Sequence, residues 1–219
     1  MTDLKSEYAT DRGCSTQNEA ACAPPNLHVA SGDSRGNVIP PFANPTGALP
    51  AGRYLTTVDE IRARFVDGKS ARRQEIWDDW NQATALLRSH IPICAVWLSG
   101  SFLTQKDEPD DVDCVYWAED LEINNARANP VSAAVVDIFA QKDALRTAVG
   151  LRVDTFVVPW NCCPDLAIAT IATTTYFQNR GHWDDFWQRM RSGAKSAPAV
   201  RADALPRRGY LEVIFDGFR

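Results

Sequence analysis

No stretch of this sequence stays apolar for the roughly 18 residues that a membrane span requires, and Met1 to Cys14 carries acids where a secretory leader carries positive charge. A cytoplasmic protein with no membrane partner is therefore expected. Positive charge is also short: 23 Lys and Arg stand against 28 Asp and Glu, a formal net charge of -5. Proteins that grip duplex DNA along its phosphates are usually basic, so duplex DNA is not an expected partner. Histidine is rare and scattered (His28, His90, His182), and the six cysteines contain no C-x-x-C pair. Closed zinc sites need ligands paired at short spacing, which argues against a zinc centre. Cys94 and Cys114 sit in apolar runs and read as small buried hydrophobes, while Cys14 and Cys22 lie in a polar tail and Cys162 and Cys163 are adjacent. No internal repeat is present.

The sequence does have enough apolar material, 45% of 219 residues, for one sizeable core. Residues 1–38 lack apolar periodicity and are expected to be a disordered tail, with partner binding as the alternative role. Residues 39–54, punctuated by Pro and Gly, read as an extended lead-in, and residues 55–219 as the folded domain. Thr57 with Glu60 three positions on forms a capping box for a short helix bearing Ile61 and Phe65. A longer helix spans Ser70 to Ser89, where Ile76, Trp80, Ala83 and Leu87 recur at helical spacing. Trp77 and Trp80 are expected in the core rather than as base-stacking platforms.

Ile93 to Leu98, Val112 to Trp117, Leu151 to Val158 and Tyr210 to Phe215 read as strands. Val131, Val135, Ile138, Phe139 and Leu145 trace one helix. A further helix is expected near Pro164, and another carrying Trp183, Phe186, Trp187 and Met190 on one face, before a linker from Pro198 to Arg208. Interleaved strands and helices predict an α/β (α+β) fold, a mixed β-sheet flanked by helices.

The segment from Leu98 to Trp117 carries the chemistry. A buried strand ends at Gly100-Ser101, where glycine permits close backbone approach to a ligand and Ser101 adds a hydroxyl. Asp111 and Asp113 are two apart on a strand, so both carboxylates point to one face. Two like charges that close resist burial unless a cation lies between them, and Mg²⁺ favours carboxylate oxygens plus substrate phosphates. Asp154 is the sole acid of an otherwise apolar strand and is the candidate third carboxylate; an ion pair with Arg152 or a solvent-facing edge position is its structural alternative.

Gly100-Ser101, the nine-residue spacer Phe102 to Asp110, then Asp111-Val112-Asp113-Cys114 and the later Val153-Asp154 together resemble the nucleotidyltransferase superfamily that includes DNA polymerase beta and the minimal nucleotidyltransferases. The resemblance covers about residues 93–158, and the LPAGRY and RRGYLEVIF flanks look like an uncharacterised bacterial branch of it. It implies a nucleotidyltransferase-like fold in which Asp111 and Asp113 hold a Mg²⁺ (or Mn²⁺) that binds a nucleoside triphosphate. Gly100 and Ser101 would cradle the outer phosphates, and Asp154 would complete the site for a second metal. The implied reaction moves an NMP from an NTP to a hydroxyl of RNA (tRNA-like) or of a partner protein, with pyrophosphate released. Small bacterial relatives often serve in toxin–antitoxin or phage-defence systems.

The sequence departs from the pattern in one place. Many minimal members follow Gly-Ser with Arg-Gly, whereas this chain reads Phe102-Leu103-Thr104-Gln105-Lys106. Lys106 is the candidate replacement for the missing positive charge near the triphosphate. Arg62, Arg64, Lys69, Arg72, Arg73, Arg207 and Arg208 would meet an RNA acceptor or else form an ordinary solvated face. A non-catalytic nucleotide- or partner-binding module is the main alternative, and a Mg²⁺-dependent phosphohydrolase the second. Three converging carboxylates favour a catalyst, and the lack of a histidine near them favours transfer over hydrolysis.

Overall fold

Thr57 does what its position predicts. In the computed structural model, which describes residues 39–194 and 196–215, its hydroxyl accepts from the Glu60 N–H and Glu60 Oε2 accepts from the Thr57 N–H at 2.9 Å. The capped helix α1 (Val58–Phe65) buries Ile61 and Phe65, and α2 (Ala71–Arg88) buries Ile76, Trp77, Trp80, Ala83 and Leu87 along one stripe. Trp77 and Trp80 are core residues, as their spacing implies. The disorder expected of residues 1–38, with Cys14 and Cys22, falls outside the described residues.

The architecture is mixed α/β: a five-stranded mixed sheet flanked by helices. Its strands are β1 (Gly52–Leu55), β2 (Ala95–Ser99), β3 (Val112–Glu119), β4 (Val153–Trp160) and β5 (Gly209–Ile214), in the order β1-β5-β2-β3-β4. The β1–β5 and β3–β4 pairs are parallel, and β2 runs antiparallel to both of its neighbours. The end of β2 and the starts of β3, β4 and β5 therefore lie at one end of the sheet. The lead-in contributes to this domain, since β1 is its tail and Ile39, Ala48 and Leu49 are buried. Gly209 is required at the β1–β5 junction, because a Cβ there would stand 2.3 Å from the Pro50 carbonyl oxygen.

Strand alternation sorts the side chains onto two faces. Val96, Leu98, Cys114, Tyr116, Leu211 and Val213 belong to an aliphatic-rich core shared with α1, α2, α3 (Asp120–Arg127), α4 (Pro130–Phe139) and α5 (Ala144–Val149). Trp97, Val115, Trp117, Val158, Trp160 and Tyr210 form a second, aromatic cluster with Trp183 and Trp187 of α6 (Ile171–Gln188).

Four expectations are corrected. The single helix expected across residues 131–145 is two, α4 and α5; α4 buries Val136 and Phe139 whereas Val131 is exposed. The helix expected near Pro164 is a three-residue 3₁₀ turn, and α6 begins later, where Thr170 and Thr173 form a reciprocal cap. Phe186 does not share the buried face of Trp183 and Trp187 but is 53% exposed. The stretch expected to be a linker, Pro198 to Arg208, is a strap tied back to the fold: the Arg207 and Arg208 N–H groups donate to the Gln188 carbonyl, and Asp203 accepts from Ser192.

Candidate active site

The six residues singled out in the sequence, Gly100, Ser101, Lys106, Asp111, Asp113 and Asp154, line one cleft of about 690 Å³. Chain topology explains why. Gly100 and Ser101 leave the end of β2, Asp111 immediately precedes β3, Asp113 is the second residue of β3 and Asp154 the second of β4. Asp113 is the register partner of Ser99 on one side and of Asp154 on the other, so the motif elements sit side by side across three adjacent strands. Asp113 and Asp154 project from the aromatic face, while Val112, Cys114 and Tyr116 pack on the aliphatic one.

Gly100 has a stereochemical reason to be glycine. Its φ is +89°, and a Cβ there would lie 2.2 Å from Asp113 Oδ2. The carboxylate thus rests directly over bare backbone, a packing that no other residue allows. Next to it the Ser101 hydroxyl oxygen is buried with no hydrogen-bond partner among the described residues, a polar group held without compensation.

Burial and neighbouring charge raise the proton affinity of Asp113 and Asp154. Burial is the main cause of the shift at Asp113; the Asp111 charge adds to it, with a smaller push from Asp154, and its carboxyl is raised to about 6 despite the opposing Arg208 and Lys142. Asp154, 6% exposed, is also raised, first by burial and then by the charges of Asp143 and Asp111. Neither structural alternative for Asp154 is found: it is not solvent-facing, and its hydrogen bond comes from the Asp143 N–H, at 3.3 Å, rather than from Arg152. Asp143 holds that geometry from the left-handed region, φ 59°, which Asp tolerates better than most residues.

Cations border the cleft. Arg146 pairs with Asp111 at 2.9 Å, and Lys106 pairs with Asp110 at 2.7 Å. Lys106 is therefore at the cleft but engaged by a neighbouring acid. Lys142 and Arg208 also line it. Arg208 reaches it from the strap just before β5, its Nε donating to the Trp187 carbonyl at 3.0 Å. No local sequence signal marks Lys142, Arg146 or Arg208 as site residues, because their approach depends on how distant strands pair.

Arg73 is the clearest departure from an RNA-facing role. It is 4% exposed, and its guanidinium donates to the carbonyls of Phe65, Phe102, Thr104 and Lys106 at 3.2, 2.8, 2.7 and 2.7 Å. It pins the backbone that follows Ser101. Arg62 pairs with Asp67, Arg72 with Glu75 and Glu108, and Arg64 lies over the Phe42 ring.

Two carboxylates of raised proton affinity, Asp113 and Asp154, with Asp111 in the same cleft, a bare glycine under Asp113 and a partnerless hydroxyl nearby, would suit a hard divalent cation and the phosphate oxygens that accompany it. Among the described residues, no group of three or more His, Cys, Asp or Glu side chains is placed so that it could by itself hold a metal ion. Asp111, Asp113 and Asp154 would supply part of a coordination shell, with ligand oxygens and water completing it. No helix among the described residues is long and apolar enough to cross a membrane. A model of a family of unknown function, DUF6932, matches residues 40–214. No curated protein and no solved structure matches the chain.

Proposed function

The chain belongs to that family of unknown function, and from this premise we propose that it is a divalent-metal-dependent nucleotidyltransferase, moving an NMP from an NTP to a hydroxyl of RNA or of a partner protein. One observation carries the reading: Gly100, Ser101, Asp111, Asp113 and Asp154 line a single cleft, with Asp113 lodged over the glycine and level with Asp154 in the sheet. Mg²⁺ or Mn²⁺ held by Asp111, Asp113 and Asp154 would neutralise phosphate charge and acidify the acceptor hydroxyl.

The chain's own residues do the rest. The backbone at Gly100 and the Ser101 hydroxyl receive the outer phosphates. The three carboxylates fix where the α-phosphorus lies relative to the acceptor. The acceptor oxygen bonds to that phosphorus as the bond to the β-phosphate bridging oxygen breaks; pyrophosphate leaves, and the hydroxyl proton passes to solvent or to a cleft carboxylate. Asp113, with its carboxyl near 6, is largely ionised above neutral pH and then available as a metal ligand.

A second reading, a nucleotide- or partner-binding module without catalysis, is favoured by the Arg146–Asp111 ion pair, which occupies one of the acids. A single experiment separates the two. The protein is incubated with each α-labelled NTP, Mg²⁺ or Mn²⁺ and a cell extract, beside the Asp111→Asn/Asp113→Asn double variant. Label on RNA or protein that disappears in the variant supports transfer. Label that survives in it, or NTP binding with no labelled product, supports the alternative.

A further inference from the structure

The acid cleft has a neighbour. A second cavity of about 700 Å³ is walled by Met190, Ala199, Val200 and Ala204 between the end of α6 and the strap, and Phe186 and Arg208 line both cavities. The other charged groups at the second cavity are engaged locally: Arg189 by Asp185, Arg191 by the Ala197 carbonyl, and Asp203 by Ser192 and the Val200 N–H. Its inner wall is left apolar.

Arg208 is placed as an anion ligand. Its backbone N–H and its Nε both donate to carbonyls at the C-terminal turn of α6, those of Gln188 and Trp187. A helix C-terminus is where a cation rests favourably. Among the described residues that Nε bond is the side chain's one hydrogen bond. The guanidinium is fixed at its base, and its terminal nitrogens remain for a ligand in the cleft that it lines together with Asp113. A planar fork so held suits phosphate oxygens. Phe186 projects from the same turn of α6, more than half exposed, with the His182 ring parallel to it at 5.9 Å.

We propose that Arg208 and Phe186 form the subsite that seats the nucleoside triphosphate, Arg208 taking a phosphate and Phe186, with the apolar cavity behind it, taking the nucleobase. The assignment rests on the nucleotidyl-transfer reading for the ligand class, and the two-part cleft specifies how that ligand lies. Stacking on an aromatic face is tolerant of base identity, and among the described residues the wall around Phe186 is formed mainly by Met190, Ala199, Val200 and Ala204. The four NTPs are therefore held with similar affinity. Arg208 supplies, from a distant part of the chain, the positive charge missing after Gly100-Ser101.

The test is calorimetric titration of the full chain with ATP, GTP, CTP and UTP, and with inorganic tripolyphosphate, all with Mg²⁺. Phe186→Ala, at an exposed position that the fold does not need, is expected to weaken all four NTPs about tenfold and leave tripolyphosphate unchanged. Phe186→Tyr restores the NTPs. Arg208→Gln weakens NTPs and tripolyphosphate together, and Arg208→Lys, which keeps the charge at the end of α6 but not the fork, recovers only part of both. NTP affinity indifferent to Phe186→Ala, or lost equally for tripolyphosphate, overturns the subsite while leaving the transfer reading intact. An intact chain that binds no NTP overturns both.

Discussion

On one face of the sheet Val96, Leu98, Tyr116, Leu211 and Val213 meet side chains from five helices; on the other, Trp97, Trp117, Trp160 and Tyr210 meet α6. Several helices can cover medium-sized aliphatic side chains completely, and that face is closed. A single helix has to cover its face with large rings, and Trp183 and Trp187 supply them. At the strand ends the rings give way to Asp113, Asp154 and the cleft. Among the described residues the buried carboxylates, Asp154 and Glu212, lie on the side where packing is thinner, so the closed face can be read as support and the open one as chemistry.

That division can be broken most directly at the acids. Asp111→Asn/Asp113→Asn is expected to lower NTP-dependent labelling by at least about a thousandfold while its circular dichroism stays native and its melt is no lower than the parent's. Unfolding of the variant would show that the carboxylates also hold the sheet together.

The next largest effect tests the support. Arg73→Met removes four hydrogen bonds to backbone carbonyls, two of them buried and two part-buried, and should cost about 4 kcal/mol in urea denaturation. A loss below about 1 kcal/mol would mean that Arg73 acts as a surface residue.

How much of this the sequence revealed follows the range of the interactions. The Asp111–Asp113 pair was legible because strand alternation is a local rule, and Thr57–Glu60 because a capping box spans four residues. Helix α3 was missed: its sequence is polar, and Ile123 and Ala126 are its only buried residues, too few for a periodic signal. Phe186 was assigned to the buried stripe since its apolar character says nothing about where the strap will leave a gap. Arg208 read as part of a linker, because its place depends on β5 lying antiparallel to β2, more than a hundred residues away in sequence.

A smaller effect has the opposite sign. Folded, Asp113 keeps its proton up to about pH 6, whereas its ordinary value is 3.8. Between these the folded state binds more protons than the unfolded one, so stability falls as pH rises, and the full penalty is present above pH 6. In metal-free buffer at pH 8, Asp113→Asn should therefore be more stable than the parent by about 3 kcal/mol. Melts below pH 4 should show no difference. A gain that persists in acid would point to packing instead of charge. Mg²⁺ should raise the melting temperature of the parent more than that of the variant.

Smallest is the cap on the closed side. Thr57→Ala is expected to cost about 1 kcal/mol, measured by chemical denaturation, with labelling unchanged. A loss of labelling at constant stability would show that α1 communicates with the cleft and that the two faces are not independent.

Arg73 also bears on time. By tying the Phe102, Thr104 and Lys106 carbonyls to α2, it removes the conformational search that a loop of this length would otherwise make at each encounter. The ordering entropy is lost once, during folding, and not again each time a ligand arrives. On the proposed reading, an anion reaching Gly100 and Ser101 would meet a surface that is already set, and its association would proceed at the pace of diffusion and orientation, without a slow ordering step.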